Sequence, residues 1–400
     1  MTEIFIPYGA YWCTPFAKWQ GSLSHLHSVE FAAHVSKHAL AAKAIPLETF
    51  DYGILGITVP QHGSFYGLPW LTGMMGAAHI GGPTISQACA TSARVIAAAV
   101  QEIQSKAAAC VLAVTTDRVS NGPHLYYPNP KGPGGTGRAE DWVMDNFNRD
   151  PYAQCDMTQT AENCAAKWKV STAEQHAVVL RRYEQYLEAT RQSDGISFQH
   201  RYMQLPLDVP DARFRKTVTV LDGDEGINET TAAGLAKLKP VKENGTVTFG
   251  GQTHPADGTA GMVITTKEKA AELSADEKIT ISIESFGQAR VEMAWMPSAP
   301  VPAARRALQA AGITIGDISA IKSHNPFVVN DIIFAREMGV DVLAMNNYGC
   351  SLIWGHPQGP TGMRTIMELI EELVLKGGGY GLFQGCAAGD SAMAVIIKVS

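Results

Sequence analysis

The chain has no CxxC pair, although it carries seven cysteines: Cys13, Cys89, Cys110, Cys155, Cys164, Cys350 and Cys386. An odd number without close pairs argues against a disulfide framework and against a structural zinc site, so no metal is expected in this chain. In a reducing compartment most such cysteines serve as small buried hydrophobes. No apolar run reaches the roughly 18–20 residues of a membrane span. The opening MTEIFIPYGAYW has no basic segment of the kind that starts a secretion signal. Blocks of like charge are also missing: the 32 Lys+Arg are scattered and the formal net charge is −6. That excludes a nucleic-acid footprint and a polybasic membrane patch. The expectation is a cytoplasmic protein whose partner is a small molecule or another protein.

What the sequence does have is bulk. Its 400 residues are 46% hydrophobic and 18% charged, inside the globular range. A single core usually stops growing near 250–300 residues, so two units, or a core with an inserted module, are predicted. Helical spacing over 28–44, a strand over 52–59, an extended 84–88, a helix from about Cys89 to Lys106 and an apolar strand over 109–115 define an α/β grammar. The last hundred residues repeat it. There Gly355-His356-Pro357 precedes a helix over 361–376 and strands over 381–385 and 392–399. The order and punctuation point to duplicated α/β units. Between them, Asn121-Gly122-Pro123 and the glycine- and proline-rich loop 128–137 open a segment of different character, with helices predicted over 157–169 and 172–191 and a capping start at Ser171. The divisions read as 1–120 for an amino-terminal half, 121–265 for an inserted module that covers the site and returns to the core, and 266–400 for a carboxyl-terminal half.

Three places carry candidate chemistry. Cys89 follows a short extended run at a predicted helix start, where unpaired N–H groups and the helix dipole favour thiolate; the same residue also reads as a small core cysteine. His356 is held between glycines and prolines just ahead of a helix, which suits a base that activates a thiol. Cys386 ends a strand before the turn Ala387-Ala388-Gly389-Asp390, and reads either as a second thiol at the same place or as a core residue.

Along nearly its whole length the chain resembles the thiolase family. Thr14-Pro15-Phe16-Ala17-Lys18 with Gly21-Ser22-Leu23 is similar to that family's TPFG…GSL, and Met157-Thr158-Gln159-Thr160-Ala161-Glu162-Asn163 to its M-x-x-T-A-E-N. Asp224-Glu225 with 235–240 resembles DE…LAKLKP. Residues 346–364 resemble N-x-x-G-G…G-H-P-x-G-x-[ST]-G-x-R, the most diagnostic stretch. The resemblance implies a layered α-β-α-β-α fold and coenzyme A as co-substrate, with an acyl-CoA substrate. It implies Cys89 as the acylated nucleophile and His356 as its base. Cys386 would shuttle the α-carbon proton, His324 would help hold the thioester oxygen, and the Ala388 N–H would join a second oxyanion hole. A homodimer or larger is implied as well.

The chain also departs from the family pattern. Ser86-Gln87-Ala88-Cys89-Ala90-Thr91-Ser92 replaces N-x-x-C-x-S-G, Asn325 and Pro326 stand where Glu and Ala are usual, and Ala388 replaces a glycine. Thr253-His254 replaces Ser-Gly. Phe249 and Trp354 add bulk where substrate is expected, and Met157, Phe249, Thr253, Phe327 and Trp354 are the expected coenzyme A and substrate contacts. Together these imply thiolysis of a bulky or branched 3-oxoacyl-CoA, aromatic and dicarboxylic chains included. The alternatives are a non-catalytic acyl-CoA-binding subunit and a ketoacyl-synthase-like condensing enzyme. Some divergent thiolases need a small zinc-binding partner; without CxxC here, that metal would sit on the other chain.

Overall fold

The computed structural model describes residues 3–400. Eleven strands form one mixed sheet: β1 (Ile4–Phe5), β2 (Tyr11–Cys13), β3 (Ala17–Lys18), β4 (Tyr52–Gly56), β5 (Thr84–Ile85), β6 (Cys110–Arg118), β7 (Ala256–Thr265), β8 (Ile281–Arg290), β9 (Ile318–His324), β10 (Gly379–Ala387) and β11 (Ser391–Val399). Their order is β9-β10-β11-β8-β1-β7-β6-β4-β5, with β2 and β3 also paired to β7. Strand β7 thus has β6 along one edge and the three short strands β1, β2 and β3 end to end along the other. Both edges are covered, and all ten of its residues are buried.

The two halves obey one rule. In the first, β4 and β6 are parallel, β6 is antiparallel to β7, and β7 to β2. In the second, β9 and β10 are parallel, β10 is antiparallel to β11, and β11 to β8. The repeat seen in the sequence as element order is therefore a repeat of topology. Helices Thr91–Gln104 and Thr361–Leu375 pack against each other, and each touches both half-sheets. Ser28–Ala42 and Pro300–Ala311 cover the outer faces. The result is the layered α-β-α-β-α arrangement that the resemblance implies. The central helices can approach closely because residue 362 is glycine: a Cβ there would lie 3.0 Å from the Ser92 Cβ.

Helix Thr361–Leu375 is buried on every side through Leu373, charged residues included. Buried charge is tolerated only when paired. Arg364 meets Asp224 through both terminal nitrogens and Glu368 at 3.2 Å, while Arg201 reaches Glu371 at 2.7 Å. These pairs fasten the intervening segment to the core, since Asp224 and Arg201 belong to it. That segment also contains helices Met157–Trp168 and Thr172–Thr190, capped by the Asp156 and Ser171 side chains. The loop 128–137 is the tip of a hairpin, with His124–Tyr127 paired to Arg138–Asp141. No helix among the described residues is long and apolar enough to cross a membrane.

Candidate active site

Topology brings the two repeats' equivalent loops together. Cys89 precedes helix Thr91–Gln104 and His356 precedes helix Thr361–Leu375, so the packing of those helices sets their side chains face to face. The Cys89 Sγ lies 3.1 Å from the His356 Nε2, and the other ring nitrogen of His356 is 2.7 Å from the Thr361 hydroxyl. The backbone around both residues is tightly turned: Ala88 has φ 45°, Gly355 91° and Gln358 55°. Left-handed conformations at non-glycine residues are costly and concentrate where function demands them.

Cys89 does not open the helix as its sequence context suggests. The first helical residue is Thr91, and Cys89 sits in the preceding turn. Part of its surface faces a cavity, yet burial of the sulfur pushes its pKa up to about 12, against the lowering effect of the Ala388 N–H. The thiolate expected from a helix terminus is therefore not the resting state: desolvation outweighs the backbone N–H groups that favour the anion. His356 compensates. Burial, and behind it His324 and His254, hold its imidazole well below the usual range, so the ring is neutral and able to accept a proton at physiological pH.

His324 lies under this pair. Its ring stacks on that of His356 with centroids 4.0 Å apart, and its Nδ1 is 3.0 Å from the Ser351 hydroxyl. Its Nε2 is buried with no partner among the described residues, and burial drives its pKa down to about 3. A carboxylate hub fixes its neighbours: Asp331 accepts from Ser323 Oγ, Asn325 Nδ2, Asn346 Nδ2 and Arg182 Nε, at 2.6, 2.8, 3.0 and 3.0 Å. Cys386 is fully buried, its thiol raised well above the ordinary value by burial and next by Cys89. The Cys89 sulfur and the two histidines offer three ligand atoms within 4.8 Å of one another, a spacing that a soft cation could bridge.

The site opens into a cavity of about 590 Å³. Cys89, His356, Ala388, Met157, Thr253 and Phe327 line it. Ala388 is not among the residues with positive φ, so its N–H is free of the strain a glycine would relieve. His324 and Cys386, both fully buried, are not among the lining residues, and two of the expected substrate-binding residues do not line the cavity either. Trp354 is wholly buried, its ring 5.3 Å from Phe16 and 4.1 Å from the Arg364 guanidinium, where it packs the ion-paired helix. Phe249 is 73% exposed on a single helical turn. Apolar bulk comes instead from Trp142, Phe147 and Met296.

Sequence reading missed several contributors. Asp117 is the next-to-last residue of β6 and accepts from Thr58 N, Val59 N and Gly359 N, tying the His356 loop to the first half. A carboxylate near the end of a strand that begins as an apolar run was the available signal. Asn330 donates to the Cys386 Sγ at 3.1 Å. Its signal was Asn-Asp inside the otherwise apolar run Val328 to Phe334. Trp142 and Phe147 follow the hairpin and gave none.

Comparison with known proteins agrees with this geometry. The chain matches Thiolase, N-terminal domain, over residues 10–268 and Thiolase, C-terminal domain, over 277–399. It is 28% identical to an acetyl-CoA acetyltransferase of Paracoccus denitrificans, covering 96% of this chain and 97% of the relative. It is 29% identical to human mitochondrial 3-ketoacyl-CoA thiolase, covering 96% of each. The crystal structure of the human enzyme superposes with a TM-score of 0.90 at 26% identity, covering 100% of this chain and 99% of that one. A second structure of it, in complex with CoA, gives 0.87 at 27% identity, covering 100% and 98%. With two domain matches spanning almost all of its length and a fold shared from end to end, the chain belongs to the thiolase family of acyl-CoA acyltransferases.

Proposed function

We infer that the protein cleaves a 3-oxoacyl-CoA with free coenzyme A, or runs the same steps in reverse, through an acyl-Cys89 intermediate. The observation that carries this is the 3.1 Å contact between Cys89 Sγ and His356 Nε2 at the floor of an acyl-sized cavity. His356 takes the thiol proton as the sulfur attacks the 3-oxo carbon. The bond between the α- and β-carbons breaks, and its electron pair becomes the enolate of the departing thioester. Cys386 gives that enolate a proton. The unpartnered Nε2 of His324 and the Ala388 N–H suit the oxygens on which negative charge develops. Coenzyme A then gives its thiol proton to the Cys386 thiolate and attacks the acyl-cysteine, the Cys89 C–S bond breaks, and the departing Cys89 thiolate takes its proton back from His356.

We assign a bulky or branched acyl chain. The support is the aromatic and thioether lining of Trp142, Phe147, Met157, Met296 and Phe327, which offers apolar surface beyond what an acetyl group covers. A homodimer or larger belongs to the same reading: the sheet ends at β5, only two residues long, whose outer edge is unpaired among the described residues. So does a small zinc-binding partner, on the sequence argument alone. The test is thiolysis by the purified chain, with and without such a partner, of acetoacetyl-CoA and of larger 3-oxoacyl-CoAs. Mass spectrometry should locate the acyl group on Cys89. Label on Cys386 instead reverses the roles, and a kcat/KM that is highest for acetoacetyl-CoA removes the assignment of a bulky chain.

A further inference from the structure

Helix Val328–Met338 begins with Val328, Val329, Ile332, Ile333 and Phe334 all buried, and its one buried charge, Asp331, is met by Ser323, Asn325, Asn346 and Arg182. Asn330 is 1% exposed in that setting. Its amide nitrogen is 3.1 Å from the Cys386 sulfur, and its Oδ1 is buried with no partner among the described residues. A buried amide with half its hydrogen-bonding capacity unmet costs more than an aliphatic side chain of the same size. Packing therefore does not account for an asparagine here, whereas a donor to sulfur does.

We propose that Asn330 is a further catalytic residue, whose side-chain N–H stabilises the Cys386 thiolate that exchanges a proton with the substrate α-carbon. This rests on the reading of Cys386 as the proton shuttle given above. In the condensing direction the α C–H proton passes to the Cys386 sulfur. The electron pair of that bond attacks the acyl carbonyl on Cys89 and forms the new carbon–carbon bond. The Cys89 C–S bond then breaks, and the thiolate leaves. The cleaving direction returns the Cys386 proton to the α-carbon. In either direction Cys386 is transiently an anion at a fully buried position, next to Cys89 and Cys164, the two other thiols that act on it. Asn330 is the side chain whose hydrogen bond opposes the effect of burial there.

The test is deuterium incorporation at the α-carbon of acetyl-CoA and propionyl-CoA in D2O, read beside acylation of Cys89 by the same compounds. Asn330→Ala and the near-isosteric Asn330→Leu should slow exchange at pH 8 by roughly tenfold, as for a rise of one pKa unit. The pH dependence of exchange should move upward by about one unit in both. Cys89 acylation within threefold of the parent shows that the fold is intact and that a merely structural role is not being read. Exchange that is unchanged or faster in a variant that still acylates overturns the role of Asn330. So does a parent enzyme that acylates Cys89 yet exchanges neither compound. A parent that is never acylated at Cys89 overturns the underlying thiolase reading instead.

Discussion

Replacing His356 with alanine should expose how the nucleophile is made reactive. The Cys89 thiol is pushed up to about 12, so at pH 8 only about one molecule in 10⁴ carries a thiolate unaided. The parent escapes this limit because a neutral imidazole 3.1 Å away accepts the proton as the sulfur attacks. Without it, acylation must draw on the rare free thiolate, and the loss at pH 8 should approach ~10⁴-fold, the upper end for a positioned base. The two enzymes should also differ in shape against pH. The parent should be nearly flat from pH 7 to 10, whereas His356→Ala should accelerate about tenfold per unit, since each unit multiplies the thiolate fraction by that factor. The assay is quenched-flow acylation by an acyl-CoA, with intact-mass detection. A loss under tenfold, or a variant as flat as the parent, would refute the reasoning and make His356 structural.

Four further outcomes follow from the same geometry. His324 is buried and neutral with its pKa near 3, so acidification below the unfolded value of 6.5 destabilises the fold; at pH 5 this amounts to about 2 kcal/mol, from 1.5 units at 1.36 kcal/mol each. In urea melts, His324→Asn should lose that much less stability than the parent between pH 7.5 and 5, and equal losses would contradict it. Asp224→Ala leaves the buried Arg364 with Glu368 as its remaining carboxylate partner and should cost about 3–5 kcal/mol, read by denaturant titration, while Asp224→Ala with Arg364→Met should recover part of it. Asp117→Ala strips the acceptor from three backbone N–H groups and should lower the melting temperature and the acylation rate together. Trp142→Ala should raise KM for large acyl groups more than for acetoacetyl-CoA if that ring forms the acyl wall.

Local signals served well where chain order and chemistry coincide. The duplicated strand–helix grammar was readable because both repeats use apolar strands followed by helix starts, and Cys89, His356, His324 and Cys386 stood in short ordered motifs. That the segment ending at 265 returns to the core was legible, but not that β7 enters between β6 and three short strands, because register is decided by long-range pairing. Cys89 was placed on the helix because Ala88 carries no signature of its left-handed φ, and that turn delays the helix to Thr91. Trp354 read as a pocket wall for want of any local sign that Arg364 and Phe16 would enclose it. The balance of burial against backbone N–H groups at Cys89 is a property of the assembled site alone.

The late return of β7 bears on how the chain is made. As synthesis proceeds, Cys89 emerges early, but β6 has no partner on its outer edge until residues 256–265 have left the ribosome. His356, the base in the mechanism proposed above, stands 267 residues further along the chain. Through most of translation the thiol is therefore an ordinary cysteine on an unfinished sheet, unable to take an acyl group from passing thioesters. Long-range pairing of this kind is slow and leaves strand edges open in the meantime. Nascent chains truncated before residue 256 should accordingly be the species that chaperones hold, and the competence of Cys89 should appear only once the second half closes over it.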